Sequence, residues 1–120
     1  MDMTATANSV LDALGDSTRR RVFELLCAGP RPVGEIAAQL PVSRPAVSQH
    51  LAVLRHAGLV AARRDGRRHY YRVDTDGLEA LRTYLESTWD AVLAAFADAA
   101  DRAAAAGPTD RADPDKEEQR

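Results

Sequence analysis

Residues 42–60, VSRPAVSQHLAVLRHAGLV, place Arg44, Ser48, Gln49 and Arg55 at helical spacing, with the small Ala52 among them. These side chains can read a nucleic-acid edge. A guanidinium matches guanine O6 and N7, and a carboxamide matches adenine N6 and N7. Ser43 and Arg44, at the start of the run, are expected on phosphates or on the first base, and Ser48 and Gln49 on base edges. His50 has two readings: a base contact, or packing beneath the helix. The opposite arc carries Val47, Leu51 and Leu54, the spacing of a buried helical face. Ser43 offers an N-cap, and Pro45 sits in the first turn, where its missing N–H costs little. Ala57-Gly58 ends the run, which is therefore expected to form a helix that enters a DNA major groove.

The overall formal charge of −2 conceals a segregated distribution. Residues 17–72 hold eleven arginines against Glu24, Glu35 and Asp65, a local balance of +8, whereas residues 73–120 carry five bases and twelve acids. A basic centre between acidic flanks is the footprint expected for a polyanion; the competing reading is a merely solvated basic face. The single cysteine, Cys27, excludes an internal disulfide framework, fits a reducing compartment and is expected to serve as a small buried or half-buried hydrophobe. MDMTATANSV has neither the basic nor the apolar region of a signal peptide. No apolar run reaches the length of a membrane span. A cytoplasmic location follows as an expectation. Paired carboxylates, a nucleophile elbow and a Gly-rich phosphate loop are all missing from the sequence, so no enzyme activity is expected.

The elements that must position the polar arc can be taken in order. Residues 1–7 are small, polar and expected to be disordered. Asn8 or Ser9 can cap a short helix through Val10, Leu11 and Leu14 that ends at Gly15. Ser17 can cap a second, with Val22, Leu25 and Leu26 inward and Gly29-Pro30 at its end. Arg19, Arg20 and Arg21 lie in its first turns, against the sign of the helix dipole, a cost that phosphate or carboxylate neighbours would offset. Pro32-Val33 open a third helix, VGEIAAQL, with Val33, Ile36, Ala37 and Leu40 on one face, stopped by Pro41. Only a tight turn separates it from the opening run, which makes a helix–turn–helix unit; an αα-hairpin without DNA contacts is the alternative.

Residues 59–74, LVAARRDGRRHYYRVD, read as a β-hairpin turning at Asp65-Gly66. Period-2 alternation puts Val60, Ala62, Tyr71 and Val73 inward, and Ala61, Arg63, Arg68, Tyr70 and Arg72 outward. Arg63, Arg64, Arg67 and Arg68 bracket the tip, where they suit a phosphate backbone or a narrow minor groove; protection of a sheet edge is the alternative. A last helix is expected from about Asp76 to Ala106. Its apolar stripe, Leu78, Leu81, Leu85, Trp89, Val92, Phe96, Ala99 and Ala103, is longer than one small module can cover. A second copy of the same helix is the economical cover, with Trp89 and Phe96 as anchors; a cofactor pocket lined by these two rings is the alternative. The segment after Gly107-Pro108 is expected to be a disordered charged tail.

This order of elements resembles the ArsR-type winged helix-turn-helix transcriptional regulators over roughly residues 8–100. LGDSTRRRVFELL, VGEIAAQLPVSRPAVSQHLAVLRHAGLV and RRDGRRHYYRV carry the resemblance. It implies a mainly α, winged helix-turn-helix fold with four short helices, a β-hairpin wing and a long C-terminal helix. It also implies a homodimeric DNA-binding repressor, joined through its first and last helices. Leu11, Leu85, Trp89, Val92 and Phe96 are the residues expected at that junction. Metal-sensing members often carry a Cys-x-Cys pair before the turn unit, where this chain has Pro32 and Gly34, and others use His on the last helix, where this chain has none after His69. The resemblance is therefore to the subgroup without metal sites, which includes autorepressors, and no metal or cofactor is expected. The expected partners are operator DNA, a second copy of the chain, and an inducer or protein that the sequence does not name. A metal- or thiol-responsive sensor of the same fold, or an interaction module using only the last helix, are the competing functions.

Overall fold

The computed structural model describes residues 3–106. Five helices and three short strands follow in the order α1 (Met3–Gly15), α2 (Ser17–Cys27), β1 (Arg31–Pro32), α3 (Val33–Ala38), α4 (Arg44–His56), β2 (Val60–Asp65), β3 (Arg68–Val73) and α5 (Thr75–Ala105). Helix α1 starts well before the expected cap at Asn8 or Ser9. Ala7 is fully buried, so residues 3–7, expected to be disordered, are ordered by burying a small apolar side chain. The expected disorder of residues 107–120 lies outside the described residues.

The cap of α2 is Asp16 rather than Ser17: its carboxylate accepts from the Arg19 N–H at 2.9 Å. Arg19 and Arg20 do not wait for external anions. Arg19 donates from Nε to Ala13 O (2.6 Å) and from Nη2 to Asp12 O (3.2 Å), and Arg20 donates from Nη1 to Leu14 O (3.0 Å). Both thus satisfy the last carbonyls of α1, at the negative end of its dipole. Arg31 does the same for α2, donating from Nε to Leu25 O at 3.0 Å.

Strand β1 was not expected from the sequence. It adds to the hairpin to give a three-stranded antiparallel sheet in the order β1-β3-β2, with Arg31 opposite Tyr71 and Pro32 opposite Tyr70. Two residues, one of them proline, leave no periodicity to read. The hairpin turns at Gly66-Arg67 rather than at the expected Asp65-Gly66, because Asp65 still pairs with Arg68; Val60 stands opposite Val73 and Ala62 opposite Tyr71, on the expected faces. Its two-residue turn places Gly66 at φ +63°, where a primed turn needs positive φ.

The core lies between α1, α2, α3, α4 and the start of the hairpin. Ile36, Val47, Leu51, Leu54, Leu59, Val10 and Val22 are its fully buried large side chains. Leu40 and Phe23 join them, while Tyr71, Val73, Leu78 and Leu81 pack against it half-buried. The start of α5 meets the turn after α4 through backbone as well as through Leu78 and Leu81. Gly77 N–H donates to Gly58 O at 2.9 Å, Asp74 N–H donates to Leu59 O at 2.9 Å, and Gly58 itself has φ +80°. A Cβ on Gly77 would stand 2.7 Å from Gly58 O and 2.9 Å from Ala57 O, so only glycine fits.

The chain divides into two units after Glu86. The first holds the core just described. In the second, the described residues continue as α5, and all are exposed except the half-buried Ala103. No helix among the described residues is long and apolar enough to cross a membrane.

Candidate nucleic-acid interface

Helix α4 presents two distinct arcs. Val47, Leu51 and Leu54 are wholly excluded from solvent, which fixes the rotation of the helix on the core. Arg44, Ser48, Gln49, Ala52 and Arg55 are all exposed on the other side. Ser43 caps the helix by accepting from Ala46 N–H at 3.2 Å. Val53 also lies on the exposed arc, which gives it an apolar surface that the sequence reading did not include.

His50 stands apart from this set. It is half-buried, between the positions of Val47 and Leu54 on the helix, and close enough to Asp16 to act on its charge. The Asp16 carboxyl is held below the ordinary aspartate value, chiefly by the Arg19 backbone N–H; desolvation opposes this, and the Arg19 and His50 charges and the Thr18 backbone N–H lower it further.

Five of the six expected DNA-contacting arginines fall into three hollows. Arg44, Arg67 and Arg68 line one cleft of about 380 Å³ between the start of α4 and the hairpin, together with Gly34, Glu35 and His69. Arg63 lines a different hollow with Tyr70, Arg72 and Asp65. Arg55 borders a third, at the far end of α4 beside Val60, Ala61 and Ala62. Strand alternation places Arg68 outward with Tyr70 and Arg72. Beside the turn, its side chain nevertheless reaches the inner cleft. Arg64 is exposed and donates from Nε to Gly66 O at 3.3 Å, tying it to the tip.

Among the described residues, the side chains of Arg44, Arg55, Arg63, Arg67 and Arg68 make no hydrogen bond or ion pair with the protein. The ion pairs present, Arg82–Glu86 and Arg102–Asp98, are exposed and confined to α5. The charge needed for a polyanion is thus concentrated on α4 and the hairpin. Arg19, Arg20 and Arg31, counted in the same +8 stretch, serve helix ends instead.

Cys27 is exposed, not buried as expected, because it falls on the outer side of the last turn of α2. Partial desolvation, with help from the Glu24 charge, raises its thiol above the ordinary value, which disfavours the reactive thiolate. Among the described residues, no group of three or more His, Cys, Asp or Glu side chains is placed to hold a metal ion.

Residues 16–62 match the model of the bacterial regulatory protein family arsR. The HTH-type transcriptional regulator Rv2034 of Mycobacterium tuberculosis is 54% identical over 85 residues, which are 71% of this chain and 79% of that protein. The chain belongs to the ArsR family. The transcriptional repressor SdpR of Bacillus subtilis is 36% identical over 60% of this chain and 80% of its own length. An ArsR-like transcriptional regulator from Rhodococcus sp. RHA1 superposes with a TM-score of 0.67 at 35% identity, covering 81% of this chain and 94% of that one.

Family membership makes the chain a DNA-binding regulator of transcription with the winged helix-turn-helix fold: α3 and α4 are the helix–turn–helix and β2–β3 the wing. His69 is the residue at this surface that the sequence reading missed. The alternation that put Tyr71 and Val73 inward also puts His69 on that face, so the signal was present.

Proposed function

We propose that the protein is a cytoplasmic homodimeric repressor, each α4 lying in a major groove and each wing on the backbone or the adjacent minor groove. The observation that carries this reading is the division of α4. One arc is locked into the core through three fully buried side chains, and the other exposes Arg44, Ser48, Gln49 and Arg55. Ser48 and Gln49 are assigned to base edges, and Ser43 with Arg44 to the phosphates or first base at the helix start. Arg55, Arg63, Arg64, Arg67 and Arg68 supply salt-dependent affinity. The half-buried position of His50 supports packing over base reading.

Pairing is supported by the apolar side chains left exposed. On the first unit these are Leu11 (41%) and Leu85 (51%); on the second, Trp89 (64%), Val92 (42%) and Phe96 (71%). Exposed apolar surface on this scale marks an interaction site, and a second copy of the chain is the partner assigned here. Two-fold pairing places the two α4 helices about one turn of DNA, roughly 34 Å, apart. Repression, rather than activation, is supported by the similarity to SdpR of Bacillus subtilis, a transcriptional repressor.

A gel shift on the DNA upstream of the protein's own gene, at two salt concentrations, tests the proposal. The expected result is a retarded complex that weakens steeply as salt rises. Absence of any complex at low salt would leave α5 as an interaction surface without DNA.

A further inference from the structure

The cleft between the start of α4 and the wing assembles residues far apart in sequence: Gly34 and Glu35 from α3, Arg44 from α4, and Arg67, Arg68 and His69 from the turn and β3. Its charge is unbalanced. Three guanidinium groups share the cleft with one carboxylate, and among the described residues none of them makes an ion pair. Gly34 leaves the space beside Arg44 open: a Cβ there would only reach ordinary distance, 4.0 Å, from Arg44 Nη1. The backbone at the start of α4 offers an anion little. Ser43 Oγ takes the Ala46 N–H, Val47 N–H is bonded to Ser43 O, and Pro45 has no N–H. Anion binding at this corner therefore falls mainly to side chains, with the Arg44 N–H the one first-turn donor left.

We propose that the cleft holds one backbone phosphodiester of the bound duplex, with Arg44, Arg67 and Arg68 as permanent ligands and His69 as a fourth that joins when protonated. The inference rests on the DNA-binding reading and refines it: Arg44 is a phosphate ligand, not a base reader, and duplex binding takes up a proton. The groups around His69 are Arg44 from α4, Arg67 and Arg68 beside it in the chain, Arg64 opposite it on β2, and Glu35 from α3. Four of these five are cations. A phosphate seated among them supplies the anion to which a protonated imidazole would donate. Charge-assisted bonds to phosphate are the stronger class, so the fourth ligand has a measurable effect.

The test measures binding of the full chain to a mixed-sequence duplex at fixed ionic strength between about pH 8 and 5.5, the range in which imidazole titrates. The wild-type protein should tighten by about tenfold as pH falls, the equivalent of one unit of pKa change on binding. His69→Gln should flatten that profile. His69→Lys should bind at all pH values about as tightly as the wild type does at the acid end, and His56→Gln should keep the wild-type profile. Because Arg44 and His69 share a ligand, Arg44→Ala combined with His69→Gln should weaken binding by less than the product of the single effects. Arg44→Ala alone should weaken every sequence by the same factor.

A wild-type profile retained in His69→Gln overturns the proton linkage, and a loss of sequence discrimination in Arg44→Ala overturns its assignment to phosphate. Saturable binding of inorganic phosphate to the protein without DNA, abolished by Arg44→Ala, would make a free anion the ligand and overturn the phosphodiester assignment. If the wild-type protein binds no duplex at low salt, the DNA reading itself fails, an outcome distinct from the others.

Discussion

At the scale of single residues, chemically similar side chains do different work according to where the backbone puts them. Of the eleven arginines between residues 17 and 72, Arg19, Arg20 and Arg31 close helix ends, while Arg44, Arg67 and Arg68 converge on one cleft. Composition revealed the excess of positive charge but could not divide it, because the division depends on which carbonyls lie within reach. Gln49 is exposed on the polar arc of α4, so on the proposed reading Gln49→Ala should cost about 1–3 kcal/mol of discrimination for one base pair. Competition binding against operator variants would register that loss as a change in preference; uniform weakening would remove Gln49 from base reading. Asp16 gives a prediction in pH. Its carboxyl is lowered from the ordinary 3.8, so its stabilisation of α2 is complete above that value and is lost as pH falls through the lower folded value. Asp16→Asn, which still caps but does not titrate, should remove this component from an acid unfolding curve followed by circular dichroism.

At the scale of elements, periodicity was a good guide wherever one face was buried. The faces of α4 and of the hairpin were legible because Val47, Leu51 and Leu54 repeat at helical spacing, and Val60 with Ala62 and Tyr71 with Val73 at strand spacing; the turn itself fell one residue later than Asp65-Gly66 suggested. Three features were not. Helix α1 begins at Met3 because Ala7 packs into the core, a contact that a small residue does not advertise. Strand β1 is two residues long. The cap of α2 falls to Asp16 although Ser17 is an equally good capping type, and only geometry chooses between them. The joint between α4 and α5 was also invisible, since a glycine in LEALR-type surroundings reads as a weak helix position. Gly77→Ala would drive a Cβ against two carbonyl oxygens, and should cost about 1–3 kcal/mol as an overpacked site. A thermal melt would measure it, and an unchanged melting temperature would show that the joint can open without penalty.

At the scale of the whole molecule, the acidic C-terminal segment and the basic centre belong to different tasks. The centre carries the exposed polar arc of α4 and the wing; α5 beyond Glu86 exposes Trp89, Val92 and Phe96 on a stretch in which no described residue is buried. Substituting Trp89 and Phe96 together by alanine should convert a dimer to a monomer and abolish tight operator binding while leaving the core intact. Sedimentation velocity checks the first, and a dimer that persists would place the interface elsewhere. The backbone contact between Gly77 and the Gly58 turn has a bearing on how such a regulator diversifies. Because no side chain takes part in that hydrogen bond, substitutions on the exposed arc of α4 and at Trp89, Val92 and Phe96 of α5 leave it untouched. On the proposed reading, a lineage can therefore rewrite which operator is recognised and which copy is accepted as partner as separate choices, so duplicated genes can part company in one property before the other.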